Sequence, residues 1–333
     1  MRGRRTTSCL LAAVLFAAGL AGCSATSERP TSDRTPVDRP GVAGSTGADG
    51  TASPAASPGV AGAPATRAGK APDRRFDVDF RELTFNRGDR RLPVTVWYPS
   101  APGGGVARGP FPVVLFSHGL GGSPTDYRPL LTRWAAAGFV AAAPSYPHTS
   151  RGAPDPQILD VINQPADASH VLTRLLALNS QQGDPFRGRL DPERIGAAGH
   201  SAGGITTIGL FTTGRDERFD AGIVLAGSAL GVGTAFSGQA APQLFVHGEL
   251  DEVVSYRAGR AAYDQVPWPK AMLSLPAGDH GRSLLSGGEP ALGVVAGTTV
   301  EFLRWSLYGD PAAKRRLPDA AVEGGLATLD DNL

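Results

Sequence analysis

The stretch Gly199-His200-Ser201-Ala202-Gly203 constrains this chain more than any other. It reads Gly-x-Ser-x-Gly, and its flanks meet the demands of that pattern. Residues 194–198, Arg-Ile-Gly-Ala-Ala, are a short, mostly apolar run of strand type, and residues 204–211 continue with helical character. A strand, a sharp turn and a helix place the serine in a strained backbone geometry. Small residues at 199 and 203 let strand and helix approach closely, and the hydroxyl stands exposed beside the Ala202 N–H at a helix N-terminus. A glycine-rich turn with an incidental serine satisfies the same five letters, so the rest of the chain must supply the partners.

The order of elements around the motif alternates. Residues 76–85 and 92–98 read as two antiparallel strands joined around Arg87-Gly88-Asp89. Val113 to Phe116 is a continuous apolar run, as expected of a strand covered on both faces. Residues 127–137 have helical spacing through Leu130, Leu131 and Trp134, and residues 139–143 are strand-like. Residues 166–178 form an amphipathic helix through Val171, Leu172, Leu175 and Leu176. Beyond the motif, residues 219–225, 243–246 and 271–275 read as strands, and 258–265 and 294–307 as helices. This alternation predicts an α/β fold, a mostly parallel sheet with helices on both faces, whose site lies at the C-terminal strand ends. The predicted catalytic domain spans 76–310. Residues 311–333 are polar, lack clear periodicity and read as a C-terminal tail.

The first residues read as a targeting segment. Arg2, Arg4 and Arg5 make a basic start, and residues 10–20 are an apolar run too short to span a bilayer as a stable helix. Leu20-Ala21-Gly22-Cys23 then resembles the lipobox of bacterial lipoproteins, which implies a signal peptide at 1–22, cleavage before Cys23 and lipid on that cysteine. Residues 23–75 follow as a tether rich in Ala, Pro, Gly, Ser and Thr, unable to bury enough surface to offset its ordering entropy. The expected location is the extracytoplasmic face of the cell membrane. The two cysteines, Cys9 and Cys23, both lie in this region, so the domain beyond it has neither a disulfide nor a thiolate metal site. The chain carries 32 Lys and Arg against 31 Asp and Glu. With no basic block and no aromatic-basic interleaving, nucleic acid is not an expected partner.

A serine nucleophile needs a base, and the base an orienting carboxylate. In hydrolases whose serine sits on such a strand–turn–helix of a parallel sheet, the chain order is serine, acid, histidine. His247 and His280 are the histidines that follow Ser201. His247 falls at the end of a predicted strand, whereas His280 lies in the loop Pro276-Ala277-Gly278-Asp279-His280-Gly281 after the last apolar run, the address expected of a base. Asp251, just past a strand and about one βα unit before His280, is the preferred acid. Glu249, Glu252 and Asp279 are its rivals, and Asp220 precedes its strand and so falls at the wrong end of the sheet. The expected oxyanion donors are the N–H groups of Ala202 and of Leu120, the latter in Ser117-His118-Gly119-Leu120-Gly121-Gly122, with Gly121 as second choice. His118 is read as orienting that loop, His200 and His170 as structural, and His148 as a residue near the pocket rim.

With these residues in place the chain resembles the α/β-hydrolase superfamily over about residues 76–307. Within it the resemblance is to the branch holding dienelactone hydrolase-like proteins, platelet-activating factor acetylhydrolases and bacterial cutinases or polyester hydrolases. It is carried by Phe116-Ser117-His118-Gly119-Leu120-Gly121-Gly122, Asp191-Pro192-Glu193-Arg194-Ile195-Gly196, Gly199-His200-Ser201-Ala202-Gly203-Gly204 and His247-Gly248-Glu249-Leu250-Asp251. The departures are informative. Dienelactone hydrolases use a cysteine where this chain has Ser201. Platelet-activating factor acetylhydrolases place their acid just after the strand that follows the nucleophile, where this chain has Leu225-Ala226-Gly227-Ser228. Polyester hydrolases usually carry a methionine where Ala202 stands, and a C-terminal disulfide for which no cysteine follows Cys23, so cutin or plastic hydrolysis is not supported.

The resemblance implies an α/β-hydrolase fold and a serine hydrolase, most simply a carboxylic ester hydrolase of the esterase or lipase type. Its substrate would be a small-molecule or lipid ester, with no metal or organic cofactor. A peptidase or an acyltransferase uses the same triad, and product analysis with an added acceptor alcohol separates these. A non-catalytic binding protein on this fold would fail to react with a fluorophosphonate probe.

Overall fold

The computed structural model describes residues 69–281 and 290–333. The expected signal peptide, Cys23 and most of the expected tether lie outside the described residues. In chain order the elements are β1 (Asp77–Arg87), β2 (Arg90–Ser100), β3 (Phe111–Ser117), α1 (Arg128–Ala136), β4 (Val140–Pro144), α2 (Gln164–Ala177), β5 (Leu190–His200), α3 (Ala202–Gly209), β6 (Ala221–Leu225), β7 (Gln243–Gly248), α4 (Tyr256–Asp264), β8 (Lys270–Leu275), α5 (Ala291–Tyr308), α6 (Pro311–Val322) and β9 (Thr328–Asn332). Short 3₁₀ turns, Pro124–Tyr127 and Ile158–Asn163, precede α1 and α2.

One sheet runs in the order β1-β2-β4-β3-β5-β6-β7-β8-β9. The six strands from β4 to β8 are parallel, and antiparallel strands flank them at both edges. The parallel strands are apolar on both faces because both are covered. Along β3 the side chains alternate between two cores. Val114 and Phe116 pack with Leu130, Leu131 and Trp134 of α1 and Phe302 and Leu303 of α5. Val113 and Leu115 pack with Val171, Leu172 and Leu175 of α2 and Ile205 and Ile208 of α3. The sheet therefore has helices on both faces, as the alternating order predicts.

The strand order reverses direction at β3, which lies between β4 and β5. A crevice opens at the C-terminal ends of strands at such a switch point. Ser117 of β3 is in register with Gly199 of β5. The loop carrying Leu120 and the turn carrying Ser201 thus leave the sheet side by side.

Two boundaries differ from expectation. Residues 311–333 are not a tail. The Asp310 carboxylate caps α6 by accepting the Ala312 N–H at 2.9 Å, Leu317 and Ala321 enter the core, and β9 pairs antiparallel with β8 from Lys270↔Asn332 to Ser274↔Thr328. An edge strand reading Thr-Leu-Asp-Asp-Asn is held by its backbone ladder and has no apolar alternation to announce it. At the other end, residues 69–75 of the expected tether lie against the domain. Ala71 is buried, Gly69 N–H donates to the Gly309 carbonyl, and Arg304 donates to the Pro72 carbonyl. Among the described residues no helix is long and apolar enough to cross a membrane.

Candidate active site

Ser201 is the first residue past β5, at φ 56° and ψ −117°. A non-glycine residue there is strained, and the surroundings must hold it. Its N–H donates to the Leu225 carbonyl of β6 at 2.9 Å, and its carbonyl accepts the Ile205 N–H at 3.1 Å to begin α3. Glycine is required on either side. A Cβ on Gly199 would run into the Gly203 carbonyl, and one on Gly203 into the Ser117 carbonyl. Close packing of strand, turn and helix thus forces the serine outward.

The loops after β7 and β8 bring two more of the expected residues to this point. Ser201 Oγ lies 2.9 Å from His280 Nε2, and His280 Nδ1 lies 2.8 Å from Asp251 Oδ2. An ionised carboxylate only accepts, so Nδ1 carries the proton and Nε2 is left to accept the serine hydroxyl proton. The other Asp251 oxygen accepts the N–H groups of Val253 and Val254, both at 2.8 Å. Burial works against the Asp251 charge, but hydrogen bonds from His247, His280 and the Val254 amide more than offset this and hold its carboxyl well below the usual carboxylate range. It is thus a fixed anion facing the imidazole.

The rival acids are placed elsewhere. Glu249 and Glu252 are exposed, and the Asp279 carboxylate accepts the Gly281 N–H at 3.3 Å. Asp220 accepts the Ile195 N–H, toward the end of β5 opposite Ser201, as its position before the strand predicts. At Leu225-Ala226-Gly227-Ser228 the chain bends out of β6, with Ala226 at φ 47° and its N–H donated to the Val246 carbonyl of β7.

The loop after β3 is held by His118. Its Nδ1–H donates to the Gly119 carbonyl at 2.8 Å, and its Nε2 accepts the Tyr146 N–H at 3.2 Å. Burial pushes its pKa down, which keeps the ring neutral and both bonds intact. The Gly122 N–H also donates to the Gly119 carbonyl, and the Gly121 N–H donates to the Thr149 carbonyl at 2.7 Å. Gly121, the second choice as oxyanion donor, is therefore engaged. The Leu120 N–H has no acceptor among the described residues, and Ala202 N–H opens α3. Both amides lie beside Ser201 at the ends of neighbouring strands.

Sequence reasoning missed two partners. His247, buried at the end of β7, donates from Nε2 to the Val254 carbonyl at 2.8 Å and stands 3.3 Å from Asp251 Oδ2, so it braces the acid. Its spacing of four residues from Asp251 was the available signal. Tyr127, on the 3₁₀ turn before α1, meets His200 across 73 residues of sequence, and no local pattern marks it. His148 donates from Nδ1 to the Asp155 carbonyl, and His170 stands in α2.

Beside His280 opens a cleft of about 430 Å³ lined by Leu250, Glu252, Val253, Asp279, His280 and Gly281. A separate groove of about 520 Å³, along α5 and the end of α1, contains none of these residues. Among the described residues no cluster of three His, Cys, Asp or Glu side chains is arranged to hold a metal ion.

A parallel sheet with a strained serine at its switch point defines an α/β-hydrolase. The family model of platelet-activating factor acetylhydrolase, isoform II, matches residues 84–159, from the end of β1 through the loop of Leu120 to the turn before α2. No curated protein matches the chain. The fold and this match fit the α/β-hydrolase superfamily, and the chain is an enzyme of the serine hydrolase class that acts on ester bonds.

Proposed function

We propose that this protein is a lipid-anchored, extracytoplasmic carboxylic ester hydrolase that works through an acyl-enzyme. Ser201 Oγ attacks the acyl carbonyl while His280 Nε2 takes its proton. The same proton then passes to the leaving alcohol. Asp251 holds the imidazole by its Nδ1–H and stabilises the cation that forms. The N–H groups of Leu120 and Ala202 receive the negative charge that develops on the carbonyl oxygen. Water, activated by His280 in the reverse sense, releases the acid and restores Ser201.

The observation that carries this reading is the unbroken line from Ser201 Oγ through His280 to Asp251, with bonds of 2.9 and 2.8 Å. A panel of p-nitrophenyl esters of increasing acyl length tests it, with fluorophosphonate labelling alongside. Turnover and labelling by the wild type, and neither by Ser201→Ala, is the expected result; equal ester turnover by Ser201→Ala would refute it.

The anchoring part is supported by the basic start, the apolar run at 10–20 and Leu20-Ala21-Gly22-Cys23. Stable retention takes more than one acyl chain. Cys23→Ser should release the protein from membranes or leave it unprocessed. Wild-type protein found only in the soluble secreted fraction, with no lipid on Cys23, would remove the anchor from the proposal.

A further inference from the structure

Behind the triad runs a second hydrogen-bonded line that no step of the reaction uses. Gly119 N–H donates to the Tyr127 hydroxyl at 2.8 Å. The Tyr127 hydroxyl meets His200 Nδ1 at 3.0 Å, and His200 Nε2 meets the His280 backbone carbonyl at 2.6 Å. The two ends fix every proton. A carbonyl only accepts, so His200 carries its hydrogen on Nε2. Its Nδ1 must then accept, and the Tyr127 O–H donates to it while its oxygen receives the Gly119 N–H. Each group uses its capacity once, and only with a neutral His200 ring. Tyr127 and His200 are both nearly enclosed, at 5% and 8% exposure, so neither has water as a ready substitute partner.

The line touches all three working parts of the site. At one end it holds the peptide N–H of Gly119, while His118 and Gly122 hold that residue's carbonyl. A trans peptide sets its N–H opposite its C=O, so clamping the Gly119 carbonyl turns the Leu120 N–H the other way. In the middle, His200 is bonded covalently to Ser201. At the other end the line holds the main chain of His280, whose ring bridges Ser201 and Asp251.

We propose that Tyr127 and His200 form a positioning strut that sets the Leu120 N–H and the His280 ring in register with Ser201. The inference rests on the roles given above to Ser201, His280 and Leu120. Neither strut residue lines the cleft beside His280. Displacing an oxyanion donor or a base by about 1 Å costs on the order of 10² in rate. The strut therefore acts on the transition state and leaves ground-state binding almost unchanged.

The test is a cycle of Tyr127→Phe, His200→Gln and the double variant. Tyr127→Phe deletes the hydroxyl alone. His200→Gln keeps an N–H at the Nε2 position but loses the acceptor facing Tyr127. With p-nitrophenyl acetate, each single variant should lose about ten- to a hundred-fold in kcat, with KM within about twofold. Affinity for phenylboronic acid, whose tetrahedral adduct on Ser201 needs the oxyanion donors, should fall in parallel. Both singles break the same bond, so the double variant should lose little more than the worse single, whereas independent effects would multiply. Thermal melts confirm folding, and if Tyr127→Phe does not fold, His200→Gln alone carries the same readouts. A folded variant with wild-type kcat and boronate affinity, or a double variant showing the full product of the two losses, overturns the strut. An inactive Ser201→Ala beside an unaffected Tyr127→Phe overturns the strut alone. A fully active Ser201→Ala overturns the strut and the reading beneath it together.

Discussion

The polar network around Ser201 and the one around Arg90 are built in opposite ways. The cluster around Ser201 is made of histidines, a tyrosine and one carboxylate, joined by single hydrogen bonds whose protons can move. The second cluster joins β1 and β2 to the start of α2. Arg90 donates to Asp160 at 2.9 and 2.6 Å and to Asp167 at 2.9 and 3.0 Å, and Arg87 reaches Asp167 at 2.7 Å. The hydrogen bonds that Arg90 donates to Asp167, outweighing burial, raise the Arg90 pKa further, so its charge is permanent. Two guanidiniums facing two carboxylates brace the amino-terminal hairpin against the turn Ile158–Asn163 and α2. A network of fixed charges is suited to holding elements together; a network of transferable protons is suited to chemistry. The two should therefore respond to mutation through different observables.

The largest effect is expected at the proton-transferring cluster. Ser201→Ala or His280→Ala should lower kcat by on the order of 10⁶, since members of the proposed triad would act as a unit, with the melting temperature almost unchanged. Asp251→Asn should cost about 10⁴, judging from a serine protease, because an amide leaves the imidazole in the wrong tautomer. Glu249→Gln, on an exposed side chain, should leave kcat as it is. Steady-state ester kinetics with parallel thermal melts check all of these; a large drop in melting temperature for Ser201→Ala would erase the contrast between the networks.

The reverse pattern is expected at the ion-pair cluster. Asp167 is fully enclosed, and Asp167→Ala leaves Arg90 and Arg87 short of a counter-charge. Removing one partner of a buried pair costs roughly 3–5 kcal/mol. For a domain of this size that is a fall in melting temperature on the order of 10 °C. The molecules that remain folded should turn over ester at nearly the wild-type kcat. Denaturant titration and kinetics at a temperature well below the melt separate the two quantities. A kcat loss matching that of Asp251→Asn would show that the hairpin brace also shapes the site.

The two networks were not equally legible in the sequence. Ser201 is announced by its own neighbours because the tight turn demands small residues at fixed spacing. His280 and Asp251 follow because loops after parallel strands must end at the same edge of the sheet. The bracing contacts had no such signal. Tyr127 and His200, or Arg90 and Asp167, are ordinary residues until the topology brings β2, β3 and β5 beside the starts of α1 and α2. The last two elements were missed for another reason. β9 is an edge strand with a polar sequence, and α6 carries Pro318 inside it and buries only Ala313, Leu317 and Ala321, so neither shows the apolar periodicity that marks the central elements.

The smallest expected effect concerns acid. Burial, then repulsion from His280, pushes the His200 pKa down to about 4, with its bond to the His280 carbonyl and then Asp251 pulling the other way and His247 adding to the repulsion. The unfolded chain binds this proton near pH 6.5. Between these values the unfolded state holds more protons than the native one, so stability rises with pH there. The contribution, roughly 3 kcal/mol, is complete above pH 6.5 and is lost as the pH falls to about 4. Asp251 acts in a lower window. Its depressed pKa gives stability that is present above the ordinary carboxylate value and disappears as the pH drops through its folded value. Urea midpoints at pH 7, 5.5 and 4 should therefore fall progressively in the wild type. His200→Asn, which offers Tyr127 an acceptor but cannot take the proton, should start less stable and lose much of the slope between pH 6.5 and 4. If its slope in that window equals that of the wild type, His200 is not the group whose protonation loosens the site.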